Sequence, residues 1–201
     1  MIRDDTMKYS APGGLFQKGF TLSEILVTLS ISALLISAAI PDFTGLLMRN
    51  RAASLTNSLL TSLLLARSEA IKKNREVTLC KSTDSLACNG NWSDGWIIFS
   101  DVDGDRRLDS ADGDQLLAVE HDTGVSFNIT WNGFRSDNYI QFSPLGSIHS
   151  NNGTFILCPP GKDNHYARAV VVNRLGRARA SRDNDSDGIH EDGYGNPIDC
   201  R

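Results

Sequence analysis

The sequence predicts an α+β protein in which one long N-terminal helix packs on an antiparallel β-sheet head. Three observations carry that prediction. The block Phe20–Ile40 is 21 residues of apolar sequence with a single charge, Glu24. Beyond it, Leu55, Leu59, Leu63, Ala66 and Ala70 recur at spacings of three or four, with Leu60, Leu64 and Ile71 beside them, which is the period of a helix with one buried face. From residue 75 onward the apolar runs are short and separated by Gly, Asn, Asp and Pro, as strands joined by turns are. With 201 residues, 40% of them hydrophobic, the chain suits one medium-sized domain. A net charge of −4 and 7% aromatic content exclude a disordered chain and a uniformly basic nucleic-acid binder. Any site for a polyanion must therefore be a local patch.

Residues 1–19 form a polar leader, with Arg3, Lys8 and Lys18 against Asp4 and Asp5, ending in Lys18-Gly19. It has no apolar region of its own. The block that follows is too long for a secretory signal, and Ala38-Ala39-Ile40-Pro41 is a poor cleavage site. As a helix it spans about 30 Å, enough to cross a bilayer. An ionised Glu24 there costs about 2.5–3.5 kcal/mol and calls for a partner; the alternative is an interfacial Glu that reaches headgroup water. Residues 20–74 read as one membrane and stalk helix, expected to kink or melt locally at Pro41 and Gly45. Residues 75–201 read as the head. Its strands are expected at Val77–Cys80, Trp96–Phe99, Gln115–Val119, Val125–Trp131, Tyr139–Phe142, Thr154–Cys158 and Ala169–Asn173, with a last one carrying Arg177 and Arg179.

Gly19-Phe20-Thr21-Leu22-Ser23-Glu24, preceded by a short polar leader and followed by an apolar helix, resembles the type IV prepilin signature. The resemblance implies cleavage after Gly19 by prepilin peptidase, methylation of the new amine on Phe20, a pilin fold and a retained helix. It also supplies a partner for Glu24: the Phe20 amine of a neighbouring subunit, so that the buried acid sets the assembly register. The N-in topology, with an inner-membrane anchor and a periplasmic head that later joins a filament, rests on this resemblance too.

Further segments are similar to the GspH/FimT family: Ala66-Arg67-Ser68-Glu69-Ala70, Val77-Thr78-Leu79-Cys80, Gly95-Trp96-Ile97-Ile98-Phe99, Phe142-Ser143-Pro144-Leu145-Gly146 and Gly176-Arg177-Ala178-Arg179. That family contains minor pilins of type IV pili and the H-type minor pseudopilin of type II secretion. The Ala-Arg-Ser-Glu-Ala and Thr-Leu-Cys segments favour the pilus branch. The implied partners are prepilin peptidase, other minor and major pilins or pseudopilins, and the inner membrane.

Four cysteines beyond the anchor, in an oxidising compartment, suggest two disulfides. Three pairings exist; the preferred one joins Cys80 to Cys88, closing a short loop, and Cys158 to Cys200, fastening the tail to a strand. The rival, a tetra-thiolate zinc site, lacks any C-x-x-C spacing.

Between Arg168 and Arg182 stand five Arg (Arg168, Arg174, Arg177, Arg179, Arg182) and no acid. Guanidinium forks suit phosphate, so double-stranded DNA is the ligand this strip suggests. Gly176-Arg177-Ala178-Arg179 also matches the Gly-Arg-x-Arg motif that the family resemblance associates with DNA binding in natural transformation. The competing reading is contact with the protein's own acids or with a neighbouring pilin. Six acids follow between Asp183 and Asp199, near enough to repel phosphate within a Debye length of about 10 Å. Asp183, Asp185 and Asp187 before Gly188, with Glu191 in ninth place, match the opening of an EF-hand loop, although Tyr194 stands where the twelfth-place Glu belongs. Calcium there would neutralise part of the tail and expose the Arg strip. Asp101, Asp103, Asp105 and Asp109 alternate similarly without Gly in sixth place; a solvated turn with Arg106 and Arg107 as counter-ions is the preferred reading, calcium the other.

No catalytic constellation is present in the sequence. His121, His149, His165 and His190 lack helical metal-ligand spacing, and neither G-x-S-x-G nor a Walker A pattern occurs. No cofactor is required and no enzymatic activity is expected. A membrane-tethered, metal-dependent periplasmic hydrolase using the clustered carboxylates is the alternative from another class.

Overall fold

The computed structural model describes residues 19–121, 127–149 and 151–201. The leader up to residue 18 and the start of the expected strand at Val125 lie outside the described residues.

Helix α1 runs from Leu22 to Lys73, 52 residues without a break. It stops because Asn74 takes a left-handed φ of 51°, the arrangement in which a C-terminal Asn closes a helix. The Arg75 amide then reaches back to the Ala70 carbonyl at 3.2 Å. The melting expected at Pro41 and Gly45 is absent: a proline removes one donor from a long ladder, and the remaining bonds carry the helix past it.

The chain divides into two compact units after Phe43. In the first, the side chains from Phe20 to Ser37 are exposed. The hydroxyls of Thr28, Ser30, Ser32 and Ser37 all donate back to helix carbonyls three or four residues earlier, at 2.7–2.9 Å. Their polar groups are thus satisfied inside the segment, as an apolar surrounding requires. Among the described residues no helix is long and apolar enough to cross a membrane.

The second unit carries the rest of α1 and eight strands: β1 Glu76–Lys81, β2 Gly95–Asp101, β3 Gln115–His121, β4 Asn128–Gly133, β5 Tyr139–Phe142, β6 Gly153–Cys158, β7 Arg168–Val172 and β8 Ala178–Ala180. They form two antiparallel four-stranded sheets, ordered β3-β2-β1-β5 and β4-β6-β7-β8. The single sheet read from the sequence is thus two. Phe142 and Ile148 make an isolated bridge where the chain passes from one to the other.

Ala52, Leu55, Leu59, Leu63, Ala66 and Ala70 of α1 share one core with Val77, Leu79, Ile98, Trp131, Phe142, Phe155 and Val170 from both sheets. Leu64 and Ile71, expected beside that face, are 55% and 49% exposed, because a 3.6-residue repeat carries them onto the flank. Each sheet has a second face, and each is covered by its own smaller cluster. Cys80, Ile97 and Phe99 pack under Cys88 and Leu108, so β2 is buried throughout. On the other sheet Ala169, Ile156 and Cys158 pack under Ile198 and Cys200 of the tail. Disulfides Cys80–Cys88 and Cys158–Cys200 fasten these two covers, and no free cysteine remains among the described residues. Both covers carry an acidic loop.

Candidate functional site

The N-terminal site is built by the first turn of α1. Among the described residues nothing lies within 4 Å of where a side chain on Gly19 would project, and Phe20 is 85% exposed. Glu24 is occupied within its own chain. Its Oε2 accepts from the Thr21 amide at 2.9 Å and the Thr21 hydroxyl at 2.9 Å, while Thr21 Oγ1 accepts from the Glu24 amide at 3.2 Å. This is a reciprocal capping box. The T-x-x-E spacing is its signal in the sequence, and Thr21 is the residue that a reading centred on Glu24 alone passes over. Among the described residues Glu24 Oε1 carries no hydrogen bond, which leaves one oxygen for an outside amine.

At the other end of the chain, β7 turns into β8 through Asn173–Gly176. Asn173 Oδ1 accepts from the Leu175 and Arg177 amides at 3.0 and 3.1 Å. Gly176 has a φ of 71°, and any Cβ on it would collide with the Gly146 carbonyl. That same carbonyl accepts from Arg67 Nε of α1 at 2.9 Å. The Gly of the Gly-Arg-x-Arg motif is therefore required by the turn and its packing. Arg174, Arg177, Arg179 and Arg182 are all exposed, and among the described residues none forms an ion pair. Alternation places Arg177 and Arg179 on one face, opposite the partly packed Ala178. Arg168 does not belong with them. It is half-buried, its Nη1 donates to the Ala167 and His165 carbonyls at 2.6 and 3.3 Å, and burial followed by the nearby Arg49 charge lowers its pKa.

The acidic tail docks beside the strip. The Glu191 amide donates to the Arg182 carbonyl at 3.0 Å. Gly193 lies against Thr154 and Val171, and Val171 is the cross-strand partner of Arg179. His190 is half-buried at this junction, 3.0 Å from Ser181 Oγ, and burial, then Arg168, depresses its pKa. One oxygen each from Asp183, Asp185 and Asp187 lie within 4.8 Å of one another. Glu191 is not in that group: its oxygens accept from the Asn184 amide and side chain at 2.7–3.2 Å. The ninth-place ligand expected from the sequence is thus turned to Asn184. Both oxygens of Asp183 already accept backbone amides, from Ser186 at 2.7 Å and Gly188 at 3.0 Å.

The loop after β2 also gathers acids. Oxygens of Asp101, Asp103 and Asp105 lie within 4.8 Å of one another. Arg106 is not their counter-ion as expected: its Nε donates to Gln141 Oε1 at 3.3 Å and its guanidinium lies 5.0 Å from the centre of the Tyr139 ring. Arg107 forms no ion pair among the described residues.

Residues 55–176 match the family described as type II transport protein GspH, and residues 16–40 match the prokaryotic N-terminal methylation motif. The chain is 30% identical over 169 residues to the pilin-like protein PilA1 of Thermus thermophilus, covering 81% of this chain and 97% of that protein. Two crystal structures of the type IV minor pilin FimU of Pseudomonas aeruginosa (strain PAO1) are similar. One has a TM-score of 0.49 at 20% identity, over 67% of this chain and 90% of that one. The other has 0.46 at 18%, over 65% and 92%.

Proposed function

This chain belongs to the GspH family of pilin-like proteins, and from that premise we propose that it is a minor pilin that primes or tips a type IV pilus. One observation carries the reading. One chain carries the methylation motif at residues 16–40 and, after it, the GspH match at residues 55–176. Prepilin peptidase cuts after Gly19, and the matured Phe20 amine of one subunit meets the free Oε1 of Glu24 in the next. Before assembly the protein is a single-pass inner-membrane protein with a periplasmic head; its partners are other minor and major pilins. The exposed, unpaired Arg177 and Arg179, flanked by Arg174 and Arg182, bind duplex DNA by phosphate contact, with Gly176 shaping the turn that presents them.

The test is co-expression of the full chain with prepilin peptidase, followed by mass spectrometry and by immunodetection in sheared filaments. An N-methylated Phe20 terminus and presence in the filament are expected; a chain that keeps its leader yet is incorporated overturns the reading. A second reading, a minor pseudopilin in type II secretion, is favoured by the description of the family matched over residues 55–176. Deleting the gene separates them: loss of pili supports the first, loss of protein secretion with normal pili the second.

A further inference from the structure

Asp101 is fully buried, and its two oxygens are treated unequally. Oδ2 accepts from the Thr78 hydroxyl at 2.7 Å, Gln141 Nε2 at 2.8 Å and the Arg106 amide at 3.1 Å. Oδ1, equally shielded from water, has no partner. A buried carboxylate oxygen without a partner is costly and rare in a native protein. It belongs to a residue whose carboxylate converges with those of Asp103 and Asp105.

The loop that follows turns tightly on its own carboxylates. Gly104 and Arg106 have φ values of 78° and 69°. The Asp105 amide donates to Asp103, the Arg106 amide to Asp101 and the Arg107 amide to Asp105, at 2.8–3.2 Å. Arg106 thus adopts the left-handed turn usually left to Gly in sixth place. Leu108, in eighth place, packs into the cluster over β1 and β2. Asp109 and Asp112 stand ninth and twelfth, and Asp109 Oδ1 accepts from the Ala111 amide at 2.8 Å. The tail loop makes the same backbone turn, with φ values of 66° at Ser186 and 88° at Gly188. There, however, both Asp183 oxygens are paired, Glu191 faces Asn184, and Tyr194 is 87% exposed. Of these two loops, the one after β2 has the orphaned oxygen.

We propose that Asp101, Asp103 and Asp105, with Asp109 and Asp112 closing the loop, bind one calcium-type hard divalent cation, and that Asp101 Oδ1 is its buried ligand. Ligand oxygens within 4.8 Å of one another can be bridged by two Ca–O bonds of about 2.3–2.6 Å, whereas Mg–O bonds of about 2.0–2.1 Å demand a tighter shell. The ion would supply the missing partner of Oδ1, relieve the repulsion among the loop acids and clamp the cover over the second face of the first sheet. This site is independent of the filament reading and of the Arg strip.

The experiment is titration of the full chain in detergent micelles, stripped with chelator, with calcium chloride or magnesium chloride, followed by calorimetry and thermal melting. Calcium is expected to saturate this site at roughly 0.1–1 mM, the range of extracellular modules, and to raise Tm; magnesium raises it less. Asp103→Asn with Asp105→Asn, both exposed, is expected to weaken calcium binding at least tenfold and remove the Tm rise while keeping the far-ultraviolet circular dichroism. Asp112→Asn weakens binding without touching the buried network. Asp183→Asn with Asp185→Asn leaves the calcium response in place. No heat or Tm change with wild type up to about 10 mM calcium, an undiminished response in the Asp103/Asp105 variant, its loss in the Asp183/Asp185 variant, or an equal magnesium response would each overturn the proposal.

Discussion

Thr21 and Glu24 satisfy each other across the first turn of α1, the threonine hydroxyl and amide both donating to Glu24 Oε2 while the hydroxyl accepts from the Glu24 amide. The acid that the family resemblance assigns to assembly is therefore also the closing half of a helix cap. These two roles rest on different properties: capping needs an acceptor, pairing with an amine needs a charge.

Glu24→Gln keeps an acceptor at the same place and removes the charge. It should leave the start of α1 protected from amide hydrogen exchange while abolishing incorporation into filaments. Thr21→Ala removes the cap at a cost of about 1 kcal/mol, seen as roughly fivefold faster exchange at residues 22–25, and Thr21→Ser restores protection. Normal incorporation of Glu24→Gln would leave capping as the whole role of this residue.

Arg177→Ala with Arg179→Ala should weaken duplex binding and lower the slope of log affinity against log salt by about two units. Fluorescence anisotropy across a salt series reads both. Tm should hold, because neither side chain packs in the core. An unchanged slope would return the strip to subunit contact.

Gly176→Ala should fail differently. The methyl meets the Gly146 carbonyl and the backbone needs a positive φ, so stability should fall by more than about 1 kcal/mol. Gly161→Ala, with a φ of 87° and nothing within 4 Å, isolates the φ cost alone. The difference in Tm between the two variants measures the close approach.

His190 titrates with its charged form disfavoured in the folded head, since burial and Arg168 depress its pKa. Above the unfolded value of about 6.5 it is neutral in both states and costs nothing. As pH falls through that value the unfolded chain binds the proton first, and stability is lost until the folded pKa is reached. His190→Gln should therefore show a smaller drop in Tm between pH 7 and pH 5 than wild type.

The helix and most strands are legible in the sequence because burial imposes a period, and the residues of that period, Leu55 to Ala70 and the alternating strand positions, are the ones the core uses. Two sheets read as one because pairing partners leave no local mark: nothing near Tyr139–Phe142 announces that β5 joins β1 while β4 joins β6. At the sites, chemistry-bearing residues stand out by type and spacing, but their engagement does not. Arg168 belongs to the same charge run as Arg177, and only the fold shows it turned to carbonyls. Asp101 reads like Asp183, and only its burial on Thr78 and Gln141 sets it apart.

The bond between Cys158 and Cys200 bears on how firmly the segment carrying Ile198 is held to the sheet. Tied to β6 at Cys200, that segment cannot peel away from the face it shields over Ala169 and Ile156. Reduction would free it, and limited proteolysis followed by mass would show new cuts between residues 182 and 200.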